Sequence, residues 1–156
     1  MNPSLLEKFS QGADLIRSAI KGLTPKDLQA FPVPGTWSIQ QIVVHMLDSD
    51  LIATHRMKRI IAEDNPLLIG YDETKFTKSL FYEKEPLEEV LTLFDLNRAQ
   101  MTRIFKQLPD TAFQRHGTHN ERGTVRLGEL IEDYVGHVDH HLKFVKQKRE
   151  LLGKPL

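Results

Sequence analysis

The chain has 156 residues, a length that fits one domain with a single hydrophobic core, so we expect one domain over residues 1–156. Its 21 Lys and Arg residues balance 21 Asp and Glu residues, and a formal charge of zero argues against a nucleic-acid partner. The absence of cysteine excludes disulfide scaffolds, thiolate metal sites and cysteine nucleophiles. A metal site in this chain would therefore use nitrogen and oxygen ligands.

The N-terminal segment from Met1 to Ile20 carries charged side chains among its apolar residues, unlike a signal peptide. No uninterrupted apolar stretch approaches the roughly 20 residues of a membrane span. We therefore expect no membrane association and a cytoplasmic location.

Apolar residues recur three, four or seven positions apart from Ser4 to Leu23, and this spacing predicts a first helix. Thr24 followed by Pro25 predicts a short helical turn, because a hydroxyl can cap a helix and proline fits its first position. The segment 31–35, which contains two prolines and a glycine, then breaks the chain.

A second helix is predicted from Ser38 to about Glu63. Ser38 is a candidate N-cap, and Gln41 three residues later completes the pattern of a capping box. From Asn65 to Glu85 the helical periodicity fades, in a connection much longer than the roughly 4 to 6 residues usual in compact domains. A connection of this length often covers a functional site.

A third helix is predicted after Pro86, where the apolar spacing up to Leu108 forms the clearest helical stripe. The polar, glycine-containing segment 116–123 then leads to Thr124, the predicted cap of a fourth helix. No segment alternates between apolar and polar residues as a half-buried strand would. These elements predict an all-α fold, a four-helix bundle with a long crossover from the second to the third helix.

The fourth helix contains three histidines, and helical spacing predicts which of them face the bundle interior. Steps of four and three residues from Leu130 reach His137 and His141. His140 falls instead on the polar side. His137 and His141 therefore lie one turn apart on the inner face, close enough for their imidazoles to bind one ion.

The second helix offers a third ligand, His45, at the edge of its apolar face. Three neutral imidazoles and solvent would form an open site that can activate water or bind an anionic group. A lone inward histidine is more often a hydrogen-bonded core residue, and the pair His137 and His141 adds weight to the metal interpretation. Imidazole ligands suit zinc, nickel, copper and iron alike.

Three charged side chains of the second helix could support such a site. Asp48 follows His45 by about one helical turn, and its carboxylate could orient a metal-binding histidine or act as a base beside the ion. A solvated helix carboxylate is the commoner role. Arg56 and Arg59 could hold an anionic substrate, although a charged helix face is the commoner explanation for them as well.

Two sequence patterns together resemble the DinB-like superfamily, which includes the YfiT-like metalloenzymes. The first pattern runs from Pro34 to Asp48 and contains Trp37-Ser38 and His45-Met46-Leu47-Asp48. The second pattern contains Gly117-x-His119, then Arg122-Gly123-Thr124-Val125, then His137-x-x-x-His141-Leu142. Both patterns stand in the family's order, one towards each end of the chain.

The resemblance implies a four-helix bundle that binds one divalent ion through His45, His137 and His141. Nickel and zinc are the first choices for this ion, and iron is a further one. The resemblance also implies a small-molecule substrate, a low-molecular-weight thiol in some relatives, and a homodimer.

These observations favour a metal-dependent enzyme that activates a thiol or water, either an S-transferase or a hydrolase. The alternative is a non-catalytic metal-binding or stress-response module, which a fourth protein ligand such as Asp48 or His119 would favour. A metal-free bundle that acts through partner helices is a third hypothesis.

Overall fold

A computed structural model describes residues 3–156, most of which lie in helices. The α-helices are α1 (Pro3–Ser10), α2 (Gly12–Ile20), α3 (Pro25–Gln29), α4 (Ile39–Ala62), α5 (Glu73–Ser79), α6 (Leu87–Phe105) and α7 (Leu127–Leu151). The other elements are three strands and two short 3₁₀ helices: β1 (Leu67–Leu68), β2 (His116–His119), β3 (Gly123–Arg126), Tyr82–Lys84 and Asp110–Gln114.

The long helices form a four-helix bundle, as the sequence predicts. α4 packs against α6 and α7, and α1 and α2 together occupy the remaining position, in contact with both α6 and α7. A long crossover joins α4 to α6 and carries β1, α5 and the first 3₁₀ helix. Within residues 3–156, no helix has both the length and the apolar content that crossing a bilayer would require.

Side-chain caps start two of the helices where the sequence predicts them. The Ser38 hydroxyl accepts a hydrogen bond from the Gln41 N–H, and the Gln41 side chain accepts one from the Ser38 N–H. Thr24 and Asp27 form the same reciprocal arrangement at the start of α3. These capping boxes satisfy N–H groups that would otherwise lack partners at a helix start.

The first helix of the bundle is interrupted, whereas the sequence predicts one continuous helix from Ser4 to Leu23. The chain breaks at Gln11, between α1 and α2. At this break the carbonyl of Phe9 accepts a hydrogen bond from Arg98 Nη1 at 3.0 Å. A contact from a distant helix therefore accompanies the interruption, and local apolar spacing carries no sign of it.

A small sheet, absent from the sequence prediction, joins the crossover to the loop before α7. β1 pairs in parallel with β2, and β2 pairs antiparallel with β3. Strands of two to four residues are too short to show alternation. The prediction that Thr124 caps the last helix is wrong, because Thr124 pairs with Thr118 in the sheet and Arg126 is the N-cap of α7.

Two clusters of buried apolar side chains form the core, one containing Leu91 and Phe94 and the other containing Phe9 and Phe105. The Arg98 side chain contacts both clusters. Its guanidinium carbon lies 4.6 Å from the centroid of the Phe94 ring and 4.4 Å from that of Phe9. Aromatic faces attract cations, so both contacts are favourable. The two clusters therefore meet at the buried guanidinium of Arg98.

The charge of Arg98 is paired with Asp50 of α4, and each residue is only 1% exposed. Arg98 Nε and Nη2 lie 2.9 and 2.7 Å from Asp50 Oδ1, and Asn97 Nδ2 donates to Asp50 Oδ2 at 2.9 Å. Arg98 also donates to the carbonyls of Phe9 in α1 and Tyr134 in α7. One side chain of α6 thus contacts the other three positions of the bundle.

Gly12 provides the space that the Arg98 guanidinium needs beside α2. A Cβ atom at position 12 would lie 2.6 Å from Arg98 Nη1 and 3.1 Å from an atom of the Phe94 ring. Carbon and nitrogen atoms do not approach this closely without a clash. A side chain at this position would therefore displace the guanidinium from the Phe9 carbonyl.

We expect Arg98→Met to lower the free energy of unfolding by about 3 to 5 kcal/mol, because Asp50 would be left buried without its partner. Urea unfolding followed by circular dichroism measures the change. Arg17→Met is the matched control, since Arg17 pairs with the exposed Glu88 at the surface and such a pair contributes less than about 1 kcal/mol. Equal losses in the two variants would contradict the central role of Arg98.

Candidate metal centre

His45 projects from α4 into the bundle, two turns after the Ser38 cap that starts the helix. Its side chain is 1% exposed. The Trp37 ring, which precedes the cap, lies 4.7 Å from the His45 ring between centroids. The capping box therefore sets the start of the helix, and Trp37 covers one side of the imidazole.

α7 brings His137 and His141 to His45. The Nε2 atoms of His137 and His141 lie 3.0 Å apart, and their ring centroids lie 5.3 and 4.8 Å from that of His45. His141 is buried, His137 is half-buried and His140 is exposed. The facing predicted for these three residues of α7 is therefore confirmed.

One ring nitrogen from each of His45, His137 and His141 can be chosen so that all three lie within 4.8 Å of one another. In a tetrahedral zinc site the ligand nitrogens lie about 3.4 Å apart, because each Zn–N bond is about 2.1 Å long. Small side-chain rotations would bring the three nitrogens to that spacing. The structure thus brings together the three residues that the sequence selects as metal ligands.

Burial keeps the three imidazoles neutral. Desolvation, and then the charge of His141, lowers the pKa of His45 to about 3. Desolvation is also the main cause that lowers the pKa of His137 to about 3 and of His141 to about 4. Within residues 3–156, both ring nitrogens of His45 and Nδ1 of His141 are buried without a hydrogen-bond partner. Neutral imidazoles with free lone pairs fit a divalent ion.

Phenol groups lie beside His137. The Tyr134 hydroxyl is 3.2 Å from Ser49 Oγ, and its ring lies 5.4 Å from that of His137. Tyr71 lines a cavity together with Tyr134 and His137. Burial raises the pKa of Tyr71 to about 12, and burial also raises the pKa of Tyr134. Both phenols keep their protons at neutral pH, so they can donate hydrogen bonds to a molecule in this cavity.

Asp48 lies about one turn after His45, as expected, but its carboxylate contacts the crossover. Asp48 Oδ2 accepts a hydrogen bond from the hydroxyl of Tyr82, a residue only 1% exposed. Burial and this hydrogen bond raise the pKa of Tyr82, which therefore remains a donor. Asp48 thus joins α4 to the first 3₁₀ helix. Its role as a histidine-orienting residue or a base stays a prediction.

Glu73, which the sequence analysis missed, brings a second carboxylate to the centre. Its Oε2 atom lies 3.8 Å from His45 Nε2, and its side chain is 57% exposed. Glu73 is the first residue of α5, which Asp72 caps by accepting a hydrogen bond from the Lys75 N–H. The only sequence signal for Glu73 is its place in a long connection, because α5 is too short to show a periodic face.

Three other candidates from the sequence lie outside the centre. Arg56 donates to the carbonyl of Ile69, and Arg59 donates to the carbonyl of Leu67. These two arginines hold the crossover against α4, and Arg56 is buried rather than part of a solvated face. His119 is buried in β2, where its Nδ1 accepts a backbone hydrogen bond.

Two cavities reach the histidines, and Glu73 lines both of them. The first cavity has a volume of about 440 Å³ and is lined in part by Trp37, His141 and Phe144. The second has a volume of about 500 Å³ and is lined in part by Tyr71, Tyr134 and His137. A small molecule in either cavity can therefore reach one of the three histidines, His141 in the first cavity and His137 in the second.

The fold and the site define a class of protein: a helical bundle in which one histidine of α4 and two of α7 face a common point. The family model of the DinB superfamily matches residues 8–145. The chain therefore belongs to the DinB superfamily, which confirms the resemblance seen in its sequence.

Two relatives carry names that refer to a metal. A protein of Oceanobacillus iheyensis, named "putative metal-dependent hydrolase", is 28% identical over 131 residues, which cover 84% of this chain and 76% of that protein. A protein of Halalkalibacterium halodurans with the same name is 31% identical over 113 residues, which cover 72% of this chain and 66% of that protein.

Two solved structures share the fold. YfiT from Bacillus subtilis, described as "a probable metal-dependent hydrolase with an unusual four-helix bundle topology", superposes with a TM-score of 0.91 at 20% identity, covering 98% of this chain and 90% of that one. A mycothiol-dependent maleylpyruvate isomerase superposes with a TM-score of 0.69 at 12% identity, covering 90% of this chain and 58% of that one. At these identities the likeness shows the fold alone.

We expect the metal-free protein to lose stability as the pH falls from about 6.5 towards 4. The unfolded chain takes up protons near the usual histidine pKa of about 6.5, whereas the folded chain keeps His45, His137 and His141 neutral to lower pH. Each histidine then lowers the free energy of unfolding by at most about 1.4 kcal/mol per pH unit.

Urea unfolding of chelator-treated protein at a series of pH values measures this slope. The double variant His137→Gln/His141→Gln removes two of the three groups, so its stability should depend less steeply on pH over the same range. A slope equal to that of the unchanged protein would show that these histidines are not its cause.

Proposed function

We propose that this protein is a metal-dependent enzyme in which His45, His137 and His141 hold one divalent ion, nickel or zinc before iron. The observation that carries the proposal is the convergence of one imidazole from α4 and two from α7, with both ring nitrogens of His45 and Nδ1 of His141 buried and unpartnered. Buried polar atoms in proteins nearly always have a hydrogen-bond partner, so an ion explains their arrangement. When bound, such an ion lowers the pKa of a water molecule or thiol that it coordinates.

The surrounding side chains support chemistry on a small molecule. Three protein ligands are the number found in catalytic zinc sites, which keep one position for water or substrate. The protonated phenols of Tyr71 and Tyr134 line the cavity beside His137 and can donate to a substrate oxygen there. Trp37 packs against the His45 ring and shields it from water.

A thiol S-transferase and a hydrolase both fit this site. The names of the two relatives and the description of YfiT refer to hydrolases, which use water as nucleophile. The other structural neighbour is named for its dependence on a thiol, mycothiol. These names support either water or a thiol as the nucleophile, and an assay with and without thiol distinguishes the two.

The proposal also keeps the partners that the sequence suggests. We expect a small-molecule substrate, a homodimer and no nucleic-acid partner. The homodimer and the cytoplasmic location stay predictions.

A non-catalytic metal-binding or stress-response module is the second candidate, and Glu73 is the observation that favours it. Its carboxylate lies 3.8 Å from His45 Nε2, so a small movement could add it as a fourth protein ligand. Zinc sites closed by four protein ligands are usually structural. The exposure of Glu73 favours the enzyme instead, because a solvated carboxylate at the start of a short helix can move away.

We expect the purified protein to bind one zinc or nickel ion per chain, measured by elemental analysis and calorimetric titration. His45→Gln and His141→Gln should each weaken the metal affinity by more than about 100-fold. Loss of a residue that only orients a ligand weakens it by at most about that factor. His55→Gln is the matched control, because His55 is exposed on α4, the helix that carries His45, and lines neither cavity. A metal-free protein, or equal affinities in all these variants, would remove both metal-dependent functions.

The same titration separates the open site from the closed one. If the enzyme proposal holds, Glu73→Gln and Asp48→Asn should each change the zinc affinity by less than about tenfold. A loss for Glu73→Gln as large as that for His45→Gln would identify Glu73 as a fourth ligand and favour the non-catalytic module.

The reaction is tested by incubating the zinc- or nickel-loaded protein with a haloaromatic acceptor, with and without bacillithiol or glutathione. Turnover that requires a thiol is the result expected of an S-transferase, and cleavage of an ester substrate without thiol is that expected of a hydrolase. His141→Gln should abolish either activity, because it removes a metal ligand. A loaded protein that is inactive in both assays would contradict the enzyme proposal.

A further inference from the structure

Lys148, near the end of α7, is a buried cation without a counter-charge. It is only 3% exposed, and its Nζ atom donates a hydrogen bond to Thr36 Oγ1 at 2.6 Å. Among residues 3–156, no carboxylate forms an ion pair with it. Lysine is almost never fully buried unless it is paired, because desolvation of an ammonium group is costly. The ammonium of Lys148 therefore retains capacity for an anionic partner.

Lys148 lines the same cavity of about 440 Å³ that reaches His141. The two residues are seven positions apart, so they project from one face of α7 with their Cα atoms about 10 Å apart along the helix axis. Trp37 and Phe144 also line this cavity. A single cavity thus contains a cation, aromatic side chains and one residue of the histidine centre.

We propose that this cavity binds a small molecule bearing a carboxylate group and that Lys148 is the residue that recognises it. A carboxylate can accept a charge-assisted hydrogen bond from the ammonium group. The apolar part of the molecule would lie against Trp37 and Phe144, and its far end would lie at His141. Only this last placement rests on the proposed function, because the cation and the cavity are present whether or not a metal is bound.

The position of Glu73 sets the direction in which such a molecule would bind. Glu73 lines the same cavity, but its carboxylate lies beside His45. A negative group on the ligand would be repelled at that end and attracted by Lys148 at the other. The charges of the cavity therefore favour a molecule with its carboxylate at Lys148 and an uncharged or metal-binding group at the histidines.

Titration of the metal-free protein with hexanoate, followed by NMR chemical shifts, tests Lys148 by itself. We expect saturable binding with shifts near Thr36 and Trp37, and about tenfold or more weaker binding of hexanol, which lacks the carboxylate. Lys148→Met should weaken hexanoate binding by a similar factor. Lys143→Met is the matched control, because Lys143 is exposed on the same helix.

Lys148→Gln keeps a hydrogen-bond donor for Thr36 but lacks the charge. It therefore tests the role of the charge in hexanoate binding if the Lys148→Met variant is unstable. Thermal unfolding of each variant identifies such a case. Hexanoate binding that is absent in the unchanged protein, or that is as strong in both Lys148 variants as in the unchanged protein, would overturn the inference.

A second titration, with the zinc-loaded protein, separates this inference from the proposed function. Mercaptohexanoate carries a thiol at the end opposite its carboxylate, and we expect it to bind more tightly than hexanoate when zinc is present. If the thiol adds no affinity while hexanoate binding still depends on Lys148, the S-transferase function is contradicted. Recognition of the carboxylate by Lys148 is then still supported. If zinc strengthens thiol binding but Lys148→Met has no effect, the inference about Lys148 fails instead.

Discussion

The buried ion pair of Arg98 and Asp50 is the interaction on which the rest of this bundle depends. Charges with 1% exposure are tolerated only when their hydrogen-bonding groups are satisfied, and here the partners come from α1, α4, α6 and α7. Any shift of one helix along another would leave part of the guanidinium or the carboxylate without a partner. The pair therefore favours the alignment seen here, because other alignments would leave a buried charge without partners.

That alignment is also what places the histidines. Asp50 lies on α4 five residues after His45, and the Tyr134 carbonyl lies on α7 one turn before His137. By joining α4 and α7 at these points, Arg98 sets the distance between the two helices that supply the imidazoles. The imidazole nitrogens left without hydrogen bonds reduce the stability of the metal-free chain, because each buried unsatisfied polar atom costs about 1 to 3 kcal/mol. An ion bound there would offset that cost, so binding and folding would be coupled.

The crossover from α4 to α6 completes the surroundings of the centre. Arg56 and Arg59 hold its first part against α4, and Tyr82 holds its last part through Asp48. Glu73 lies between these two attachments, on a segment attached at both ends. The fold is shared with proteins at 20% and 12% identity, so the activity must be argued from the side chains of this chain rather than from the bundle itself.

The sequence by itself determined the features that depend on neighbours within a turn or two: the Ser38 capping box, the apolar stripes of the long helices, and the inward facing of His137 and His141. It also carried a partial signal for Arg98, a charged residue on an apolar stripe, but no indication that Asp50 is its partner. Only the tertiary structure decided the break at Gln11, the short strands, and the positions of Glu73 and Lys148 relative to the histidines. These features arise from contacts between segments far apart in the chain, and helical periodicity records only which face a residue occupies.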